Sequence, residues 1–239
     1  MHTLSQLKNK IMMSKNVILL AISTLIVNFC IAQTKSLSAF NSIHTSGNVQ
    51  VTLVKSDENK AEYTITKGRE SDLIIDVEGQ NLNVKIKTFK SFINRSETKA
   101  NVTIYYKNLS AIDCSAGSSV SSKETISSDA FAIETSSGSK CSVSIKSKDI
   151  SASSSSGSSL NINGSSNNAT FDASSGARIS ASEFQTTNAT ADASSGASIK
   201  LSASKKLTAD ASSGGRIQYK GKPESLNVDT SASGSISSF

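Results

Sequence analysis

The stretch Asp172-Ala173-Ser174-Ser175-Gly176 returns at 192–196 and again, as Asp210-Ala211-Ser212-Ser213-Gly214, and this recurrence restricts the fold more than any other feature of the chain. Weaker copies end at Gly117, Gly138 and Gly157, and a last one, Asp229-Thr230-Ser231-Ala232-Ser233, lacks the glycine. The anchors 117, 138, 157, 176, 196, 214 and 233 are spaced by 21, 19, 19, 20, 18 and 19 residues. Self-similarity at such a period marks a stack of repeats.

Aligned on the anchor, the copies form columns that alternate in polarity. Five residues before it stand Ile112, Ile133, Ala152, Phe171, Ala191, Ala209 and Val228; three after it stand Val120, Cys141, Leu160, Ile179, Ile199, Ile217 and Ile236. The odd offsets are apolar or small, and the even ones carry Asp, Ser, Lys, Arg or Asn. Period-two alternation predicts strands with one buried face. A leucine-rich repeat needs its own leucine-asparagine pattern and a propeller blade about twice the length. The fold class that fits is all-β, a parallel β-helix (β-solenoid) with coils of about 20 residues, each advancing about 4.8 Å along the axis. One coil cannot bury its inner face alone, whereas stacked neighbours can.

Gly117, Gly138, Gly157, Gly176, Gly196 and Gly214 are then structural turn residues, since a corner requires φ > 0 and glycine accepts it at little steric cost. Their neighbours are Ser, Ala or Gly, which lets successive corners approach closely.

Residues 1–32 read as a signal peptide: Lys8, Lys10 and Lys15 precede an apolar run from Val17 to Phe29, and Cys30-Ile31-Ala32 offers small residues for cleavage before Gln33. The run is short for a membrane span. A lipid-modified Cys30 is the alternative, and Met12 or Met13 are alternative starts. Removing the leader takes three lysines with it and lowers the formal charge from +6 to +3. That small excess, without aromatic interleaving, gives no nucleic-acid footprint.

The remainder reads as one domain, with residues 33–110 forming first coils and a cap and 111–239 the repeat coils. In the cap region 49–54, 61–66, 73–77, 82–86 and 101–106 alternate as strands, Gly79-Gln80 reads as a hairpin turn, Thr45-Ser46-Gly47 as a divergent anchor, and 88–99 as a polar loop. A cap is required because an open coil end is an exposed edge.

Phe40-Asn41-Ser42-Ile43, the run Ser46-Gly47-Asn48-Val49-Gln50-Val51-Thr52-Leu53, Leu82-Asn83-Val84-Lys85-Ile86 and Val102-Thr103-Ile104-Tyr105-Tyr106 lead through Leu109 into the Ser-Gly coils. In pattern and order, over about residues 37–236, this resembles the head GIN domain family, described as putative auto-transporter adhesins, common in Bacteroidetes envelopes and also called a domain of unknown function (DUF). The resemblance implies a β-helical fold outside the cytoplasm and carries no established catalytic residues. Asn108 stands where the family often has Pro.

The chemistry available is limited. Beyond the leader there is one histidine, His44, read as an exposed strand residue, and the chain has no Trp. No Ser-His-Asp or His-Glu cluster supports nucleophilic or zinc chemistry. Cys114 and Cys141 both fall on inward parity, as buried free thiols or, in an oxidising compartment, a bridge. The outward feature with potential is an acidic ladder four residues before the anchor: Asp113, Glu134, Asp172, Asp192, Asp210 and Asp229, interrupted by Ser153. Beside it runs a serine column that includes Ser174, Ser194 and Ser212. Stacked carboxylates about 4.8 Å apart repel unless a cation or donor intervenes. They therefore suggest a Ca²⁺ site or a ligand face for polysaccharide hydroxyls, or else each Asp caps its own turn. Lys140, Arg178 and Arg216, two after the anchor, would balance the charge across the corner.

Three function classes follow. The first is a non-catalytic extracytoplasmic module, adhesin-like or structural, in the periplasm or at the cell surface, presenting a flat polar face to a glycan, a surface or an envelope protein. The second is a β-helical polysaccharide lyase or hydrolase, which needs carboxylates and a base converging in a groove. The third is an ice- or crystal-surface binder. The last coil has no evident cap, which suggests an end-to-end homodimer.

Overall fold

The computed structural model describes residues 33–87 and 98–239. The expected signal peptide and most of the expected polar loop lie outside the described residues; Lys99, assigned to that loop, instead opens a strand.

The chain winds as a parallel β-solenoid of about seven turns. Its body consists of β8 (Ala111–Ser115), β9 (Ser119–Thr135), β10 (Lys140–Ser154), β11 (Ser159–Ala173), β12 (Arg178–Ala193), β13 (Ser198–Ala211), β14 (Arg216–Lys220), β15 (Ser225–Thr230) and β16 (Ser235–Ser238). Each strand from β9 to β12 pairs in parallel with the next, in the register that the repeat spacing requires. Leu160 stands against Ile179, Ile179 against Ile199, Ile199 against Ile217 and Ile217 against Ile236. The strands are long because both legs of a coil run together, with register shifts where the legs meet.

Two columns fill the interior. One runs through Val51, Val120, Cys141, Leu160 and Ile179; the other through Ile43, Ile112, Ile133, Ala152, Phe171 and Ala191. In the second, the large Phe171 is flanked by the small Ala152 and Ala191 and meets Phe184 edge-on, at 6.4 Å between centroids and 86° between planes. Interdigitation of this kind keeps a narrow core at organic-crystal density. Cys114 and Cys141 are buried and unbridged. Hydrogen bonding to Cys114, then burial, pushes the Cys141 thiol well above its ordinary pKa, so it is a protonated core residue.

The corners are type I′ turns. Ser175 and Gly176 both have positive φ, 51° and 71°, and Ala177 N donates to Ser174 O at 3.1 Å. The glycine expectation holds, and the residue before each anchor glycine also enters the left-handed region, from Ala116 to Ser213, while at the last anchor Ala232 and Ser233 both do so. Each turn is bonded to the next: Gly157 N donates to Ser175 O at 3.1 Å and Gly176 N to Ser195 O at 3.0 Å. A Cβ on Gly176 would meet nothing within 4 Å, so dihedral angle rather than space requires glycine there. One residue on, at Gly215, a Cβ would lie 2.0 Å from Ala193 O, which is the close approach that the small neighbours allow.

The first coil consists of β2 (Ser42–Ser46) and β3 (Val49–Lys55), joined through Gly47 at φ 83°. Its outer edge is covered by β1 (Gln33–Ser36), β4 (Lys60–Lys67), β5 (Leu73–Glu78), β6 (Asn81–Ile86) and β7 (Lys99–Tyr106). β7 and β6 continue the parallel stack, whereas β4 and β5 lie antiparallel on them and β1 antiparallel on β4, which ends the ladder. The hairpin at Gly79-Gln80 is present. The far end is different: Leu226, Val228 and Phe239 are 47%, 46% and 57% exposed.

Candidate functional site

On the face formed by β2, β8 and the second legs of the coils, outward side chains stand in three columns. The column four residues before the anchor extends past the repeats into the cap. Its rungs are Asp76, Asn83, His44, Asp113, Glu134, Ser153, Asp172, Asp192, Asp210 and Asp229. Two residues earlier lies a second column, Ser42, Ala111, Ala132, Ser151, Thr170, Thr190 and Thr208. Asp149, Asn168 and Asn188 form a third, in which Asn168 Nδ2 donates to Asp149 Oδ1 at 2.8 Å and Asn188 Nδ2 to Asn168 Oδ1 at 2.9 Å. Asn168 and Asn188 thus serve as an amide ladder.

Where the middle column is smallest, at Ala111, Ala132 and Ser151, the face sinks into a trough. Two open depressions, of about 470 and 600 Å³, share those three residues and run together. One wall carries His44, Asp113, Glu134 and Ser153, and the other Ala130, Asp149 and Asn168. Small residues at that offset, Ala111, Ala132 and Ser151, are the signal in the sequence for this trough.

His44 is a strand residue, as expected, but less exposed than expected and paired. It is half-buried on the trough wall, with Nδ1 2.6 Å from Asp113 Oδ2. Beyond it Asn83, 7% exposed, lines the same depression and makes no side-chain hydrogen bond to a described residue, and Asp76 Oδ1 on the adjoining strand is buried without a partner. A buried acceptor left unpaired, as at Asp76 Oδ1, is uncommon. With Glu78, Asp113 and Glu134 alongside, this end of the trough is rich in acceptors.

Asp172, Asp192, Asp210 and Asp229 stack in register and are exposed. They do not cap their turns. The reason is that the turn N–H groups already have backbone acceptors: Ser174 N on Ser154 O, Gly176 N on Ser195 O and Ala177 N on Ser174 O. Desolvation, then the charges of Asp172 and Asp210, holds the Asp192 carboxyl above its ordinary pKa. Among the described residues no group of three or more His, Cys, Asp and Glu side chains converges to hold a metal ion. Ser174, Ser194 and Ser212 are half-buried at the entry to the turns, so they lie at the corner beside the flat face. Lys140, Arg178 and Arg216 lie on the next face and form no ion pair with the ladder, which corrects the expected charge balance across the corner.

Asp113 and Glu134 occupy the same wall. The opposite wall's Asp149 lies four strand residues away, about 13 Å at the usual rise, and is bonded to Asn168. Paired carboxylates that cleave a glycosidic bond must flank it from both sides at closer range. The arrangement presents hydrogen-bond acceptors along an extended trough.

No curated protein sequence matches the chain. Solved structures share the fold. A putative adhesin from Bacteroides fragilis aligns with TM-score 0.76 and 17% identity, covering 87% of this chain and 96% of the other. One from Parabacteroides merdae gives 0.69, 15%, 87% and 95%. A putative lipid binding protein from Parabacteroides distasonis gives 0.68, 20%, 87% and 96%. The profile of one family, described as putative auto-transporter adhesin, head GIN domain, matches residues 39–223, most of the described coils and the cap. With both the sequence profile and the solenoid in agreement, the chain belongs to the putative auto-transporter adhesin, head GIN domain family.

Proposed function

We propose that this domain is a non-catalytic, extracytoplasmic binding module that holds a glycan along the trough between the acidic and amide columns. The single observation that carries this reading is the acceptor-rich trough end, which Glu78, Asn83, Asp113 and Glu134 line together with His44. Sugar hydroxyls and amines supply donors to such groups, and a rigid strand scaffold holds them at fixed separations, so little ordering accompanies binding. An adhesin-like role agrees with the family and with relatives described as adhesins. No helix among the described residues is long and apolar enough to cross a membrane. The expected leader would deliver the domain to the periplasm or the cell surface.

The test is a glycan array on the purified protein, with Ala132→Trp to fill the trough. Selective binding lost in the variant supports the proposal; binding that survives the filled trough, or release of reducing ends from a bound polysaccharide, overturns it. The same proposal extends to assembly, in which two copies meet end to end over the exposed Leu226 and Val228.

A further inference from the structure

On the face formed by the first legs of the coils, a single outward column reads Ser119, Lys140, Ser159, Arg178, Ser198, Arg216 and Ser235. Cation and hydroxyl alternate rung by rung. Lys140, Arg178 and Arg216 are exposed, and none forms an ion pair with a described residue. At a coil rise of about 4.8 Å, successive cations stand about 9.6 Å apart and the row spans about 19 Å. The neighbouring column, Ser142, Asn161, Ser180, Lys200 and Gln218, contains no acid and adds a fourth cation between Arg178 and Arg216.

We infer that this face binds an acidic polysaccharide that carries one carboxylate for every second sugar, aligned along the solenoid axis. The geometry argues for a polymer, because cations this far apart on a rigid ladder cannot converge on one small anion. They can each meet one charge of a repeating chain, and several weak contacts held in register add up to avidity. Two coils match the two-sugar repeat of an extended β-linked chain, so carboxylates that recur on one side of the polymer meet Lys140, Arg178 and Arg216 in turn. Guanidinium groups pair carboxylates in a bidentate fashion, and the intervening Ser, Asn and Gln side chains offer hydrogen bonds to the sugar hydroxyls.

Two other polyanions fit less well. Single-stranded nucleic acid is held by successive aromatic stacking platforms, and neither column contains an aromatic residue; the ring of Phe239, 5.7 Å from Lys200 Nζ, is a single platform at one end of the row. A membrane surface favours apolar side chains interleaved with the basic ones, and the outward positions between the cations here are serines. The acidic ladder lies beyond the corner on the adjoining face, where screening over about 8 Å at physiological salt weakens its opposition. This site is separate from the trough and does not depend on the glycan reading proposed for it.

The experiment is calorimetric titration of the purified protein with hyaluronan oligosaccharides of increasing length, which carry one carboxylate per two sugars, with chitin oligosaccharides as the uncharged control. Binding to hyaluronan is expected, strengthening with each disaccharide up to three and then levelling off, and weakening with added salt. The triple variant Lys140→Ser, Arg178→Ser, Arg216→Ser should lose about tenfold or more in affinity. Circular dichroism of that variant should be unchanged, because all three side chains are exposed. Ala132→Trp should leave this binding intact, which separates the inference from the trough proposal. Absence of hyaluronan binding, equal binding by the triple variant, or a stronger loss of phosphatidylglycerol vesicle binding than of hyaluronan binding would overturn it.

Discussion

His44 Nδ1 lies 2.6 Å from Asp113 Oδ2, on neighbouring rungs of β2 and β8, although 69 residues separate them in the chain. The pair joins the first coil to the repeats at the wall of the trough. Both side chains are more than a third exposed or close to it, at 34% and 43%, so solvent screening limits the pair to about 1 kcal/mol at most. A double-mutant cycle with His44→Ala and Asp113→Ala, read by urea denaturation, is expected to give a coupling energy in that range. A coupling of several kcal/mol would show that the pair organises the first coil and does not merely line the trough.

Asp192 provides a test of the ladder by pH. A carboxyl whose pKa is raised on folding binds its proton more tightly in the native state. Its contribution is therefore most favourable below the ordinary carboxylate value and is lost as the pH rises through the raised one. Asp192→Asn removes that repulsion and should stabilise the protein at neutral pH by roughly 0.5 kcal/mol for each neighbour relieved, with no gain under acid. Thermal melting across the pH range checks both halves. Calcium should raise the melting temperature no more than magnesium at equal concentration, since the file of carboxylates lacks the six or more oxygens a calcium ion gathers. A rise selective for calcium and abolished by Asp192→Asn with Asp210→Asn would establish the ladder as a cation site.

The fold was legible because the decisive contacts obey the repeat: Leu160 meets Ile179 nineteen residues on, and polarity alternates with parity. His44 was not, since only the divergent Thr45-Ser46-Gly47 marks its coil and the chain between it and Asp113 runs through the cap. β1 was missed because an exposed strand that lies antiparallel on a cap has no inward column of its own. The aspartates suggested local turn caps for a related reason. The turns satisfy their N–H groups on the neighbouring coil, for example Gly176 N on Ser195 O, a partner outside any local pattern.

Two glycines should respond differently to the same substitution. Gly176 sits at φ 71° with open space around its missing Cβ, so Gly176→Ala is expected to cost about 1–2 kcal/mol, the penalty of the left-handed conformation. Gly164 is at φ 114°, and a Cβ there would lie 2.0 Å from Ile145 O, so Gly164→Ala must also displace backbone. Chemical denaturation should show the second variant to be clearly the less stable. Equal losses would mean that the coil at Gly164 yields without resistance.

Phe171 on β11 and Phe184 on β12 make an edge-to-face contact, both with almost no exposed surface. Because Phe171 stands between Ala152 and Ala191, neither neighbour in its column is large enough to refill the space, and Phe171→Ala should cost about 3–5 kcal/mol. The expected readout is a lower denaturation midpoint with no change in slope. A loss below about 1 kcal/mol would mean that the coils collapse onto the gap.

The last coil makes the converse prediction. Leu226 and Val228 occupy inward columns yet are about half exposed. Truncating them should therefore cost the monomer much less than truncating Phe171, while the apolar end and the free edge of β15 remain available to a second copy. A two-fold end-to-end contact would bring β15 of each protomer together and cover both pairs of side chains. Sedimentation equilibrium should then show concentration-dependent dimers that disappear in Leu226→Glu with Val228→Glu, with little change in the denaturation midpoint measured at low protein concentration. A protein that remains monomeric at high concentration would remove this assembly and leave the glycan-binding proposals untouched, because neither the trough nor the basic row includes these two residues.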